Sequence, residues 1–225
     1  MTTLHLSPHC RELPYPDAIL FDWDNTLVDS WPTIQEALNH CLEAMGHAPW
    51  DRAQVMANSR LSMRDAFPKL FGEDWEKAAK IFQEYHSAIH IERLKALPEA
   101  EAMLKQLRQA GLFVAAVSNK RGPALRREIE ALGWNPYFDA IIGAGDAEKD
   151  KPHPHPARLA LTQYSAKPDP VVWFVGDTVV DLECGAAIGA TCVYYGDQGK
   201  NGELEGIPFD CHMESLRALT SYFAQ

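Results

Sequence analysis

The chain has 225 residues, of which 46% are hydrophobic, and it carries a formal net charge of −10 at pH 7. A chain of this length and composition buries a sizeable core, and it is typical of one globular domain or of one domain with an insertion. No run of Lys and Arg stands out, so the sequence offers no basic surface to nucleic acid or to an anionic membrane. We therefore expect a small anionic partner that is held by a few local cations.

The N-terminal residues, the apolar runs and the cysteines predict the cellular location of the protein. Residues 1–15 predict a loose N-terminal arm. No basic region precedes an apolar stretch and no apolar run has the length of a membrane span, so we expect a cytoplasmic protein. The five cysteines lack C-x-x-C spacing, which favours reduced and mostly buried thiols.

The first predicted element is a buried strand over residues 18–21, which ends abruptly in Asp22 and Asp24. Two acids separated by one residue at the mouth of a strand can place one as a nucleophile and the other beside the same leaving group. The alternative is an acidic turn that precedes a helix. This stretch by itself does not decide between the two.

A block of helices follows directly. Apolar residues at helical spacing predict a helix over residues 31–45, with Ser30 as its N-cap and Gly46 as its stop. The pattern stays helical through three further segments, residues 51–58, 62–71 and 74–94. We predict that residues 31–96 form an all-helical cap inserted after the first strand.

Strands and helices then alternate to the end of the chain. Predicted strands cover residues 113–117, 140–142, 171–175, 191–195 and 209–211, and predicted helices cover 98–110, 123–132, 156–164, 182–188 and 214–223. Such alternation predicts an α/β fold with a mostly parallel sheet covered on both faces. Residues 16–30 and 97–225 would form this core, and the helical insertion would leave from its ligand-binding edge as a lid.

Polar residues follow the predicted strands at that edge. The first strand ends at Asp22 and Asp24, the second at Ser118, and a later one at Asp177. Carboxylates, a hydroxyl and a lysine suit phosphoryl transfer, in which charge neutralisation and covalent catalysis combine. Mg²⁺ prefers oxygen ligands, and we expect it on Asp22, Asp177 and the backbone carbonyl of Asp24.

Each polar residue receives a predicted role. Asp22 attacks phosphorus and becomes an aspartyl phosphate, while Asp24 protonates the leaving group and then activates water. The remaining site residues are Lys151, which offsets charge, Thr26, Ser118 and the backbone amide of Asn119, which bind phosphate, and Asp181, which orients Lys151 or a metal-bound water. Singly, these residues are typical of turns, helix caps and surfaces.

These motifs resemble the haloacid dehalogenase superfamily of phosphohydrolases. The resemblance runs from residue 17 onward through four motifs in family order: Asp22-x-Asp24-x-Thr26-Leu-Val-x-Ser30, Ser118-Asn119-Lys120, Lys151-Pro152 and Gly176-Asp177-x-x-x-Asp181. It implies a Rossmann-like core, a helical cap, Mg²⁺ and the roles given above. One departure is Asn25, where relatives usually have Gly, and Asn tolerates a left-handed backbone.

Within the superfamily the motifs look most like the phosphoglycolate phosphatase group, so the expected partner is a small phosphorylated metabolite. Two cap arginines, Arg60 and Arg64, are candidates to bind a substrate carboxylate, although arginines on a helix surface are usually solvated. A sugar phosphomutase with the same residues and a non-catalytic binding regulator stay open as alternatives. We expect a monomer or a small homo-oligomer.

Overall fold

A six-stranded parallel sheet forms the centre of the structure, a computed structural model that describes residues 13–58, 61–196 and 208–223. The strand order is β3-β2-β1-β4-β5-β6. The strands are β1 (Ala18–Phe21), β2 (Phe113–Arg121), β3 (Ala140–Ala144), β4 (Val172–Gly176), β5 (Thr191–Tyr195) and β6 (Cys211–Met213). The predicted α/β class and parallel sheet are confirmed.

Helices cover both faces of this sheet and form a block between β1 and β2. The block contains α1 (Trp31–Ala44), α2 (Arg52–Asn58), α3 (Met63–Phe71) and α4 (Trp75–Ile89). The other helices are α5 (Ala100–Gln109), α6 (Gly122–Ala131), α7 (His155–Leu161), α8 (Val179–Ala186) and α9 (Leu216–Phe223). Short 3₁₀ turns span Gly72–Asp74 and Asn135–Tyr137.

The central strand β1 is apolar throughout because both of its faces are covered. All of its side chains are fully buried, and successive side chains point to opposite faces. Ile19 and Phe21 join a cluster that includes side chains of α5, α6 and α9, whereas Ala18 and Leu20 join one that includes side chains of α7 and α8. This double burial places the end of β1, and hence Asp22, at a rigid position.

The helices α1–α4 pack around a core of their own. Its buried members include Leu38, Leu42, Val55, Phe67 and Phe71. We call residues 31–96 the helical insertion. As predicted, the described part of this segment forms helices, and it leaves the sheet from the end of β1 that carries Asp22.

Two adjacent backbone segments connect the helical insertion to the sheet. The amide of Asp29 donates to the carbonyl of Lys95 at 2.8 Å, and the amide of Leu97 donates to the carbonyl of Leu27 at 2.9 Å. Any rotation of the insertion relative to the sheet would therefore bend the backbone at these two hydrogen-bonded segments.

Asn25 shapes the turn that follows the first motif. Its φ angle is 64°, so the predicted tolerance of a left-handed backbone is confirmed. Its Oδ1 accepts hydrogen bonds from the amides of Ser30 at 3.1 Å and Trp31 at 3.2 Å. Ser30 is the N-cap residue of α1, as predicted, but its side chain makes no capping bond. The cap is supplied by Asn25 because the tight turn carries its amide group back over the start of the helix.

Several boundaries differ from the predictions. Strand β2 continues to Arg121, four residues beyond the predicted end, and its register with β3 shifts between Val117 and Arg121. Strand β6 lies two residues later than predicted because its pairing with β5 places Cys211 and Met213 in the core. The helix predicted to end at residue 94 ends at Ile89.

The thiol prediction holds in part. Cys41, Cys184 and Cys192 are free and buried. Cys211 is disulfide-bonded, which corrects the prediction for that residue, since spacing along a chain does not reveal which cysteines meet. The first twelve residues of the predicted arm, which include Cys10, lie outside the described residues.

Among the helices of the described ranges, none is apolar over a length that would cross a bilayer.

Candidate active site

The carboxyl ends of β1, β2 and β4 meet at one edge of the sheet and bring the predicted residues together. Asp22 directly follows β1, Ser118 and Asn119 lie in the last part of β2, and Asp177 directly follows β4. The amide of Asp22 donates to the carbonyl of Val175 at 2.9 Å, which continues the sheet ladder up to the acid. Ligands of parallel α/β sheets bind at this edge, as the sequence predicted.

Lys151 lies at the centre of this edge and is 2% exposed. Its Nζ donates to Oδ1 of Asp22 and to Oδ1 of Asp181, both at 2.6 Å. Burial opposes the charge of this lysine, but the carboxylates of Asp181 and Asp22 outweigh burial and raise the pKa of Lys151. The lysine is therefore a fixed cation between two acids.

The backbone of Lys151 is held by Asn119. The side-chain Nδ2 of Asn119 donates to the carbonyl of Lys151, and the amide of Lys151 donates to Oδ1 of Asn119, both at 3.0 Å. The side-chain amide thus joins the end of β2 to the segment that carries the lysine. Only the backbone amide of Asn119 was predicted to take part in the site.

Asp181 is held from the opposite side. Its Oδ2 accepts the amide of Thr178 at 3.0 Å and the hydroxyl of Thr178 at 2.7 Å, which forms a capping box at the start of α8. A Cβ atom at Gly176 would lie 2.3 Å from Cβ of Asp181. The glycine is required because the acid packs directly against the backbone of β4.

Three carboxylates, those of Asp22, Asp177 and Asp181, offer oxygen atoms that lie within 4.8 Å of one another. Burial raises the pKa of Asp22 to about 7 against the opposing effect of Lys151, and Asp181 and Asp24 raise it further. Burial and the neighbouring Asp22 also raise the pKa of Asp177. When all three acids are ionised, their charge exceeds what Lys151 balances, and their hard oxygen donors suit a divalent cation such as Mg²⁺.

Thr26 and Ser118 lie beside this cluster and are buried. The hydroxyl of Thr26 donates to Oδ1 of Asp177 at 3.3 Å. Oγ of Ser118 accepts the amide of Lys120 at 3.1 Å. The hydroxyl hydrogen of Ser118 is thus available to an oxygen in the adjoining cavity, which Ser118 lines.

Asp24 faces a different partner. Its Oδ1 accepts a hydrogen bond from Nζ of Lys120 at 2.6 Å. The same Nζ lies 2.7 Å from Oε2 of Glu128 on α6. In the sequence, Lys120 belongs to the second motif but has no predicted role. Glu128 was not predicted as a site residue, because a glutamate within an amphipathic helix usually faces solvent.

A cavity of about 690 Å³ lies between the sheet edge and the helical insertion. The edge contributes its acids and Lys151, and the insertion contributes mainly apolar and aromatic side chains, among them Trp31, Ile34, Phe67 and Phe82. A ligand in this cavity contacts charged side chains at the sheet edge and apolar side chains on the opposite wall.

Of the two predicted cap arginines, Arg64 does not line this cavity. Arg64 pairs with Asp150, its Nε lying 2.6 Å from Oδ2, and it lines a separate depression. Arg60 lies outside the described residues. Other cationic side chains do line the cavity among the described residues. Lys69 belongs to the helical insertion, whereas Arg121 and Arg127 belong to β2 and α6.

Comparison with known proteins agrees with this geometry. Residues 19–195 match the family model described as haloacid dehalogenase-like hydrolase. A phosphoglycolate phosphatase of Xylella fastidiosa is 31% identical over 179 residues, which cover 78% of each chain. One of Photorhabdus laumondii is 28% identical over 186 residues, again 78% of each chain. The solved structure of a haloacid dehalogenase-like family hydrolase from Streptococcus pneumoniae shares the fold, with a TM-score of 0.80 at 21% identity over 92% of this chain and 98% of that one.

Proposed function

Because the chain belongs to the haloacid dehalogenase-like hydrolases and is a phosphoric monoester hydrolase, we propose that it cleaves a small phosphomonoester through an aspartyl phosphate formed on Asp22. The observation that carries the proposal is the group of Asp22, Lys151 and Asp177 at the sheet edge, within one cavity. These are the nucleophile, the fixed cation and the additional acid that phosphoryl transfer to a carboxylate needs.

Asp22 attacks phosphorus with the carboxylate that Lys151 contacts. Burial raises the pKa of Asp22, and Lys151 opposes that rise. The lysine therefore favours the ionised carboxylate, which is the form that attacks phosphorus. Ser118 and the amide of Asn119 bind phosphate oxygens around it. The hydroxyl of Thr26, which was also predicted to bind phosphate, instead donates to Asp177.

The oxygens of Asp22 and Asp177 and the backbone carbonyl of Asp24 would hold Mg²⁺, which when bound neutralises the charge of the phosphate and of the acids. Asp181 is better placed to position Lys151 than to bind a metal. Both of its oxygens already accept hydrogen bonds, one from Lys151 and the other from Thr178.

Asp24 acts as the acid for the leaving group and then as the base for water. It follows Asp22 by two residues, lies beside the cavity, and has a carboxylate separate from the three clustered acids. Lys120 holds one of its oxygens, so the other is the candidate for proton transfer.

The helical insertion serves as a cap over the cavity, and 2-phosphoglycolate is the substrate to test first, because the relatives that match this chain include phosphoglycolate phosphatases. We propose that residues 16–30 and 97–225 form the catalytic core. We propose a cytoplasmic location, which the three buried free thiols support and the disulfide bond of Cys211 does not.

The test is phosphate release from a panel of phosphorylated metabolites with Mg²⁺, using the wild type and two variants. We expect Asp22→Asn to lose essentially all turnover while its unfolding curve stays cooperative. Asp169→Asn, at an exposed site just before β4, is the matched control and should keep full turnover. An Asp22→Asn protein that retains most of the turnover would show that the nucleophile lies elsewhere.

Rapid acid quench of the wild type with a ³²P-labelled substrate examines the intermediate. Label should remain on the protein and map to the peptide that contains Asp22. Equal turnover without protein-bound label under single-turnover conditions would favour direct attack by water.

A further inference from the structure

A second buried ion-pair network, which does not include the three clustered acids, contacts Asp24. Lys120 Nζ contacts Oδ1 of Asp24 at 2.6 Å and both carboxylate oxygens of Glu128, at 2.9 and 2.7 Å. The side chains of Lys120 and Glu128 are only 6% and 2% exposed. A buried ammonium shared between two acids keeps a well-defined position, because any displacement leaves a charge unpaired.

Glu128 is itself held by two further donors. The indole Nε1 of Trp23 donates to Oε2 of Glu128 at 2.6 Å. Nδ1 of His90 lies 2.7 Å from Oε1 and must carry the hydrogen, because an ionised carboxylate only accepts. Against the effect of burial, Lys120 and these hydrogen bonds lower the pKa of Glu128 to about 2.

The donors come from three different parts of the chain. Trp23 lies between the two acids of the first motif, Lys120 is in β2, and His90 directly follows α4 of the helical insertion. Glu128 therefore joins the sheet edge, α6 and the insertion through one carboxylate. Although His86, His90 and Glu128 are close enough to suggest a metal site, Glu128 already pairs with the cation of Lys120.

We propose that Glu128 is a positioning residue for protonation of the leaving group. It holds the ammonium of Lys120 against Oδ1 of Asp24, so that Oδ2 stays turned toward the ester oxygen. The proposal rests on the proposed function, in which Asp24 is the acid, and it assigns a role that the first motif by itself does not supply.

The dependence of the rate on the leaving group separates this role from a merely structural one. An alkyl phosphate, such as 2-phosphoglycolate or the best alkyl ester of the panel, needs a proton on its departing oxygen, whereas 4-nitrophenyl phosphate releases a stable phenolate without one. The measurement is kcat/KM for both esters, because this ratio reports steps up to phosphoryl transfer and not the hydrolysis of the intermediate. Asp24→Asn sets the scale, with an expected loss of about 100-fold or more on the alkyl ester.

We expect Glu128→Gln to lower kcat/KM for the alkyl ester about 10- to 100-fold, and to lower it for 4-nitrophenyl phosphate less than about threefold. Glu130→Gln is the matched control, since Glu130 lies on the same helix and is exposed, and it should leave both values unchanged. Equal losses of Glu128→Gln on the two esters, or no loss on either, would overturn the positioning role.

A buried Lys120 without its partner can destabilise the fold. The double variant Lys120→Met/Glu128→Met removes both charges and keeps comparable side-chain volumes, and we expect the same selective loss on the alkyl ester. If the double variant matches the wild type on both esters, the network does not position Asp24. If the wild type hydrolyses neither ester nor any panel member, the proposed function itself fails, which is a distinct result.

Discussion

His86 makes the stability of the protein depend on pH. It lies on α4, is 8% exposed, and stacks between Phe82 and His90 with ring centroids 5.5 and 4.9 Å away. Burial, with a smaller contribution from the nearby charge of Lys120, lowers the pKa of His86 from its ordinary 6.5 to about 3. A histidine in the unfolded chain takes up its proton near pH 6.5, while folded His86 stays neutral.

The sign and size of the effect follow from these two values. Because the unfolded state binds the proton first, the stabilisation is complete above pH 6.5 and is lost as the pH falls toward 3. Integrated from pH 7 to pH 5, this single group lowers the free energy of unfolding by about 2 kcal/mol. Asp22 works in the opposite direction, since a carboxyl whose pKa is raised to about 7 adds stability as the pH falls.

The assay is urea denaturation of the wild type and His86→Phe at several pH values between 7 and 5, without metal. The phenyl ring keeps the stacked packing but does not titrate. Taking the difference between the two proteins cancels the contributions of Asp22 and of the other shared groups. That difference should change by about 2 kcal/mol across the range.

A constant offset between the two proteins reflects packing and does not bear on the result. Ser87→Ala is the control, since Ser87 is exposed, lies on the same helix and does not titrate, and its curve should stay parallel to that of the wild type. Parallel curves for the wild type and His86→Phe would refute the reasoning, because they would mean that His86 binds its proton equally well in the folded and unfolded states.

Other changes test the site itself. Gly176→Ala places a Cβ 2.3 Å from Cβ of Asp181, so we expect a loss of about 1–3 kcal/mol in unfolding free energy and at least about a tenfold fall in kcat. Gly111→Ala is the control for kcat: its added Cβ meets open space but its φ of 76° strains a side chain, so it should lower stability and leave kcat unchanged. Lys151→Met removes the cation between Asp22 and Asp181 and should cost about 3–5 kcal/mol of stability at pH 7 by urea denaturation, with the cost shrinking at lower pH as the acids take up protons. Chelation of divalent cations should abolish phosphate release, and added Mg²⁺ at about 100 times its Kd should restore it and raise stability by about 2.7 kcal/mol. An unchanged melting temperature on titration with Mg²⁺ would count against the metal site.

The α/β class, the order of the elements and the meeting of the acids at one edge could all be predicted from the amino-acid sequence. Asp22 and Asp177 each follow an apolar strand directly, so both patterns are visible in a short stretch of sequence. Parallel strands bring their carboxyl ends to the same edge of the sheet. The helical insertion was equally readable, because its apolar spacing is a local property. The left-handed turn at Asn25 followed from the family resemblance, in which Gly usually stands at this position, and from the tolerance of Asn for that conformation.

The tertiary structure alone decided which charges are buried and paired. Glu128 reads in the sequence as one more polar residue of an amphipathic helix, yet it is 1% exposed and meets Lys120, Trp23 and His90. Arg64 reads as a candidate for substrate and pairs instead with Asp150. The energy of a buried charged side chain depends on the groups that pack against it. Trp23 and Glu128 are 105 residues apart in the sequence, so no local pattern predicts that they meet.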